Sequence, residues 1–131
     1  METAKAGKTN DDFVLNVDVA PTILAALGFK KPANMQGRNF APLYLGGDQK
    51  PWRTEFFYEH ATLRNANFIP ASEALVRKDF KYFFWPEHHV EQLFDIVADP
   101  REENDLSKNS EYEKKLVEMR QRFKERKQQA K

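Results

Sequence analysis

The chain has 131 residues, a formal net charge of +1, 40% apolar and 13% aromatic residues, eleven Phe and no Cys. That length suits one domain with one core, the aromatic load excludes a disordered chain, and the near-zero charge supplies no global field toward nucleic acid or membrane. Without Cys there is no disulfide, thiol nucleophile or thiolate metal site, and the redox compartment stays unread.

Residues 1–12 form a polar lead-in, expected to be loose. It has no apolar core region, so it does not read as a signal peptide, and no apolar run in the chain approaches the ~20 residues of a membrane span. Phe13-Val14-Leu15 is a short apolar segment. Asp18 is placed as the N-cap of a helix over Val19–Leu27, with Pro21 in the first turn and Gly28 as terminator. Ile23, Leu24 and Leu27 give that helix one apolar face. Lys30–Arg38 reads as loop, Phe40–Leu45 as one helical turn, and Gly46–Pro51 as loop. No internal repeat is visible.

The second half reads as strands. Glu55–His60 is rich in aromatics. A loop, Ala61–Ser72, leads to a second strand, Glu73–Arg77, and Lys78-Asp79 makes a tight turn. Phe80–Trp85 is the third strand, ended by Pro86, and Glu87–Glu91 is the next turn. The fourth strand is expected over Gln92–Val97, stopped by Asp99-Pro100. Such short connections predict an antiparallel meander. Ser110 and Glu113 have capping-box spacing. Tyr112, Leu116, Met119 and Phe123 then form a narrow apolar helical stripe. The tail from Lys124 to Lys131 is expected to fray. The fold class is α+β: a small four-stranded antiparallel sheet packed by a C-terminal amphipathic helix, preceded by a short helical segment.

Four features invite a chemical reading. Glu59-His60, at the end of an aromatic strand, pairs a carboxylate with a side chain that titrates near neutrality; adjacent strand residues point to opposite faces, however, which favours ordinary packing. Glu87, His88, His89 and Glu91 contain metal-ligand types, but neighbours on a short turn diverge. Asp99, Glu102, Glu103, Asn104 and Asp105 offer oxygens but lack the Gly-containing calcium-loop frame, so turn capping is preferred. The terminal helix carries eight basic against four acidic side chains; a solvated face is the simpler reading than phosphate contact. There is no Gly-rich phosphate loop, nucleophile elbow or paired acids on a helix, so no self-sufficient active site is legible.

The order of motifs carries more. Asp18-Val19-Ala20-Pro21-Thr22-Ile23-Leu24 with Gly28 resembles the D-x-x-P-T-[IL]-L helix of type I, formylglycine-dependent sulfatases. Gln36-Gly37-Arg38-Asn39-Phe40-Ala41-Pro42-Leu43 is similar to the Q-G-x-S-L-x-P-L segment that follows it, with Asn39-Phe40 in place of Ser-Leu. Trp52-Arg53, Phe57-Tyr58-Glu59-His60, Val76-Arg77, Lys81-Tyr82 and Leu93-Phe94-Asp95-Ile96 then occur in the family's order. Asp99-Pro100-Arg101-Glu102-Glu103-Asn104-Asp105-Leu106 matches the closing D-P-x-E-x-x-N-L region, with Asp105 inserted. The resemblance covers roughly Phe13 to Phe123.

The resemblance implies the C-terminal subdomain of a sulfuric ester hydrolase. Residues 13–51 would pack on an N-terminal catalytic domain, and residues 52–131 would form the sheet-and-helix subdomain. The nucleophile (formylglycine) and a divalent cation, calcium, are implied for that other domain; this segment is expected to hold no cofactor, no metal ligands and no catalytic residue, and to be inactive alone. The small domain borders the substrate cleft in such enzymes, which makes Glu59, His60 and, more weakly, Arg77, Trp85 and the loop Ala61–Ser72 the expected substrate-binding positions. The implied partners are the N-terminal sulfatase domain and a sulfated small molecule or carbohydrate, with no nucleic acid and no membrane. Self-association through the helix face at residues 19–27 is expected if that face lacks its cover. Export is a common property of such enzymes. The alternative is a stand-alone binding module that docks a protein or polyanion through the sheet face and the basic helix.

Overall fold

The structure, a computed structural model, describes residue 7 and residues 9–45, 51–61 and 69–130. Residues 46–50 of the expected loop Gly46–Pro51, residues 62–68 of the expected loop Ala61–Ser72, most of the lead-in and Lys131 lie outside these. The chain divides into two compact units, residues 1–53 and 54–131.

In the first unit a single 3-10 turn, Asn16–Asp18, runs into helix α1 (Val19–Ala26), and helix α2 spans Ala41–Leu45. Gly28 ends α1 with φ +78°. Its N–H donates to the Ala25 carbonyl, and the Phe29 N–H reaches back to that of Leu24, as a left-handed glycine allows. Asp18 holds the N-cap position expected of it but does not cap α1 with its side chain. Its carboxylate turns inward instead and is fully buried. Gly37 is required by close approach: a Cβ there would overlap the Val17 carbonyl oxygen.

The second unit is the expected meander. Strands β1 (Glu55–His60), β2 (Ser72–Arg77), β3 (Phe80–Trp85) and β4 (Val90–Asp95) lie in the order β1-β2-β3-β4, all antiparallel. The fourth strand starts two residues earlier than expected and stops at Asp95. Asp95 ends it: its carboxylate accepts from the N–H groups of Val97 and Ala98, and its carbonyl accepts from Asp99. Ile96 and Val97 therefore turn away although their residue types favour a strand. Beyond them Leu106 donates its N–H to the Leu93 carbonyl, and the Leu93 N–H donates to the Asp105 carboxylate. The outer edge of β4 is thus occupied at Leu93 by the chain's own turn.

Helix α3 (Glu113–Gln129) follows a 3-10 turn at Ser110–Tyr112. The cap is Asn109, whose side chain accepts from the Glu111 N–H at 3.0 Å, one residue before the Ser110 the spacing suggested. The helix lies on the face that carries the central row Phe57, Leu75, Tyr82 and Leu93, set side by side by the strand register. Leu116, Met119 and Phe123 bury against this row and form the core with it. The Phe123 ring meets Phe57, Tyr82 and Phe84 at centroid distances of 5.7, 5.1 and 6.2 Å. The tail does not fray at Phe123. The helix continues to Gln129 because Arg126 pairs with Glu55 and Lys127 with Glu73, both at 2.6 Å.

Candidate functional site

Side-chain alternation along the strands gives each expected site residue its place. Glu55, Phe57 and Glu59 share the α3 side of β1; Phe56, Tyr58 and His60 take the other. Glu59 and His60 are therefore not brought together. Glu59 is exposed and stands opposite Glu73 in the register, while His60 stands opposite Ser72. The Nδ1 atom of His60 is buried and has no hydrogen-bond partner among the described residues. An uncompensated buried polar atom is uncommon and calls for a reason. Arg77 lies on the α3 side, bonded to Glu118 at 2.5 Å and to Asp79 at 3.1 Å. Burial opposes its charge, but Glu118 and Asp79 outweigh that and raise its affinity for its proton. Trp85 faces away from α3, its indole N–H on Gln92 at 2.9 Å. Most of the loop Ala61–Ser72 lies outside the described residues.

The other candidates have structural partners. Among the described residues no group of three or more His, Asp or Glu could hold a metal ion, and the donor sets present do not fit the cation implied by the resemblance. His88 and His89 sit on the β3–β4 turn, where His89 has φ 51°. In the acidic loop the backbone N–H of Asn104, above all, holds the Asp99 carboxyl below its usual value. Asp105 anchors the edge of β4. Glu102, in the left-handed region at φ 57°, reaches Lys81 with both carboxylate oxygens at 2.9 and 2.7 Å. No described helix is long and apolar enough to cross a membrane.

The basic face of α3 is engaged rather than solvated. Arg122 and Arg126 both hold Glu55, at 2.6 Å each; Lys127 holds Glu73; Arg120 holds Glu91 at 2.7 Å; and Lys115 holds Glu118 at 2.8 Å. The Arg120 guanidinium is the main reason the Glu91 carboxyl sits below the usual range. The Tyr82 hydroxyl donates to Glu91 at 2.8 Å, and burial first, then Glu91, pushes its pKa upward.

Two groupings were not anticipated from the sequence. On the sheet face away from α3, Tyr58, Ala74, Val76, Phe83, Ile96 and the Lys81–Glu102 pair help line a concavity of about 570 Å³. The signal was a second aromatic alternation, Phe56/Tyr58 and Phe83/Trp85. In the first unit Asp18 gathers the Leu15 and Arg38 N–H groups, each at 2.8 Å, and the Arg53 guanidinium. Thr22 donates to the Asp18 carbonyl at 2.7 Å and accepts from the Phe40 N–H at 3.1 Å. The D-x-x-P-T and Q-G-R segments thus meet in one polar knot. These groupings can bind and position; they hold no nucleophile activated by a base.

Comparison with known proteins agrees with this architecture. The family described as "N-sulphoglucosamine sulphohydrolase, C-terminal" matches residues 2–129. An N-acetylglucosamine-6-O-sulfatase of Bacteroides thetaiotaomicron is 31% identical over 124 residues, which is 92% of this chain and 22% of that protein. The solved structure of BT4656 in complex with its substrate D-glucosamine-2-N,6-O-disulfate superposes with a TM-score of 0.86 at 29% identity, covering 96% of this chain and 26% of that one. A 2-O GAG sulfatase structure, BT1596, matches with a TM-score of 0.71 at 27% identity over 82% of this chain and 23% of that one. The chain thus spans about a quarter of the length of these relatives.

Proposed function

The chain belongs to the N-sulphoglucosamine sulphohydrolase C-terminal family, and from that membership we propose that it serves as the C-terminal domain of a sulfatase acting on a sulfated carbohydrate. The names of its relatives support the substrate class: one is a sulfatase of N-acetylglucosamine, and another was solved with a disulfated glucosamine. In this reading the bond-breaking machinery, formylglycine and a calcium ion, belongs to the N-terminal domain of the enzyme. The chain's own part is to supply a rigid sheet and to present side chains at the substrate.

One observation carries the choice of side chain: the buried Nδ1 of His60 at the end of β1, without a partner among the described residues. His60 as a whole is only half-buried, and a small opening at the end of β1 would let a sugar hydroxyl, which both donates and accepts, satisfy that nitrogen in either tautomer. Glu59, exposed on the other face of the strand, is a second candidate at the same sheet end, and Arg77 is a weaker one because Glu118 and Asp79 hold it. The test is kinetic, in a full-length enzyme carrying this domain. His60→Ala is expected to raise KM for a 6-sulfated glucosamine about tenfold, the worth of one hydrogen bond to a polar site, with little change in thermal stability. Arg77→Ala is expected to lower stability and to raise KM less than His60→Ala does. An unchanged KM in His60→Ala would remove His60 from the site. The 131-residue chain by itself is expected to release no sulfate from an aryl sulfate in the presence of calcium; release above the buffer rate would overturn the division of labour.

A further inference from the structure

The first unit is built inside out. Its fully buried side chains are Asp18 and Pro21, with Thr22 close behind. Ile23, Leu27 and Phe29 are more than half exposed, and Val14, Val17 and Val19 nearly half. Among the described residues, every member of the buried hydrophobic core lies in the second unit. Among the described residues of this unit the buried polar groups converge on one carboxylate, while the apolar side chains other than Pro21 are half-buried or exposed.

Arg53 closes that unit. Its guanidinium bonds both Asp18 oxygens, one of them at 2.7 Å, and also the Phe13 carbonyl at 3.2 Å. Trp52 beside it donates its indole N–H to the same carbonyl at 2.8 Å. The Arg53 and Arg38 guanidinium carbons lie 5.0 and 5.9 Å from the Trp52 ring centre. The side chain of Arg53 is 11% exposed and that of Asp18 0%. Removing one charge from such a pair leaves the other buried without compensation, which is far worse than losing both.

We propose that Trp52-Arg53 is a charge-held strap: while Asp18 is ionised it ties residues 13–40 into one body, and when Asp18 is neutral that body opens as a unit while the sheet and α3 stay folded. Arg53 is the charged side chain that faces Asp18 here. Arg38 offers its main-chain N–H, its guanidinium lying over Trp52, and Leu15 and Thr22 contribute only backbone and hydroxyl groups. Burial opposes ionisation of Asp18, but the bonds from Arg53, Arg38 and Leu15 outweigh it and hold the carboxyl below its ordinary 3.8. The strap is therefore at full strength above that value and released as pH falls through the lower, folded-state one. The second unit survives release because its core is apolar.

Hydrogen exchange on the 131-residue chain tests this. In Asp18→Asn at pH 7 the Arg38 and Phe40 amides, which donate to Asp18 and Thr22, are expected to lose protection by at least about tenfold. The Leu93 and Leu106 amides are expected to exchange as in the parent chain. Lowering the pH of the parent chain stepwise from 6 to below 3.8, with rates corrected for intrinsic exchange, is expected to bring on the same loss progressively at Arg38 and Phe40. Thr22→Val is expected to affect Phe40 alone. Retained protection of Arg38 in Asp18→Asn would overturn the strap. So would loss in Asp18→Asn at pH 7 that spreads to Leu93 and Leu106, including global unfolding, because the two units would then not open separately. Opening at Arg38 in Thr22→Val would also overturn it, by assigning the closure to the hydroxyl.

Discussion

Glu55 shows how a charged residue becomes part of this sheet. Its side chain is 8% exposed and is held by Arg122 and Arg126 from α3. Burial would raise its pKa, yet the hydrogen bonds from the two guanidinium groups prevail and lower it from 4.5. The sign follows: a carboxyl depressed in the folded state stabilises above its unfolded value, and that gain fades as pH falls through the folded one. Glu55→Gln, which leaves two arginines facing a neutral amide, is expected to lower unfolding free energy by about 1–3 kcal/mol near pH 7. Urea titrations at descending pH should show the gap between parent and variant closing below about pH 4. A gap independent of pH would mean that the amide's geometry, not the lost charge, is responsible.

At the scale of the element, α3 combines an apolar stripe with flanking cations, and the sheet register supplies the matching rows. Phe57, Leu75, Tyr82 and Leu93 run across the middle, with Glu59, Glu73 and Glu91 toward one side and Glu55 and Arg77 toward the other. Met119, fully buried at the centre of the stripe, is expected to cost about 2–5 kcal/mol on replacement by Ala. Val117, half exposed on the same helix, is expected to tolerate Asp within about 0.5 kcal/mol. Thermal or chemical unfolding of the two variants checks both. Equal losses would mean that α3 does not pack through this stripe.

For the molecule as a whole, the near-neutral charge conceals a basic helix whose cations are largely spoken for. Arg120, Arg122, Arg126, Lys115 and Lys127 each hold a carboxylate. A polyanion would have to displace those partners, so the chain is expected to leave a heparin column below about 0.2 M salt, without the steep salt dependence of a phosphate-binding surface. Retention to high salt would favour the reading as a polyanion-binding module. The same distribution divides the chain energetically, with an apolar core under α3 and a polar knot around Asp18.

The sequence by itself determined the meander, the terminal helix and the family. Strand alternation, turn residues and the stripe Tyr112, Leu116, Met119 and Phe123 are local signals, and local signals survive in one dimension. The ordered motifs identified the kind of enzyme while saying little about what each motif does. Only the tertiary structure decided that the Asp18 side chain leaves α1 uncapped and instead receives Arg53 from 35 positions away, that Gly37 is small because Val17 passes over it, and that the tail stays helical because Glu55 and Glu73 reach it. It also left a buried His60 nitrogen without a hydrogen-bond partner among the described residues. These are questions of which distant groups meet, and the strength of a charge or the cost of a buried polar atom depends on that meeting, not on the residue's neighbours in the chain.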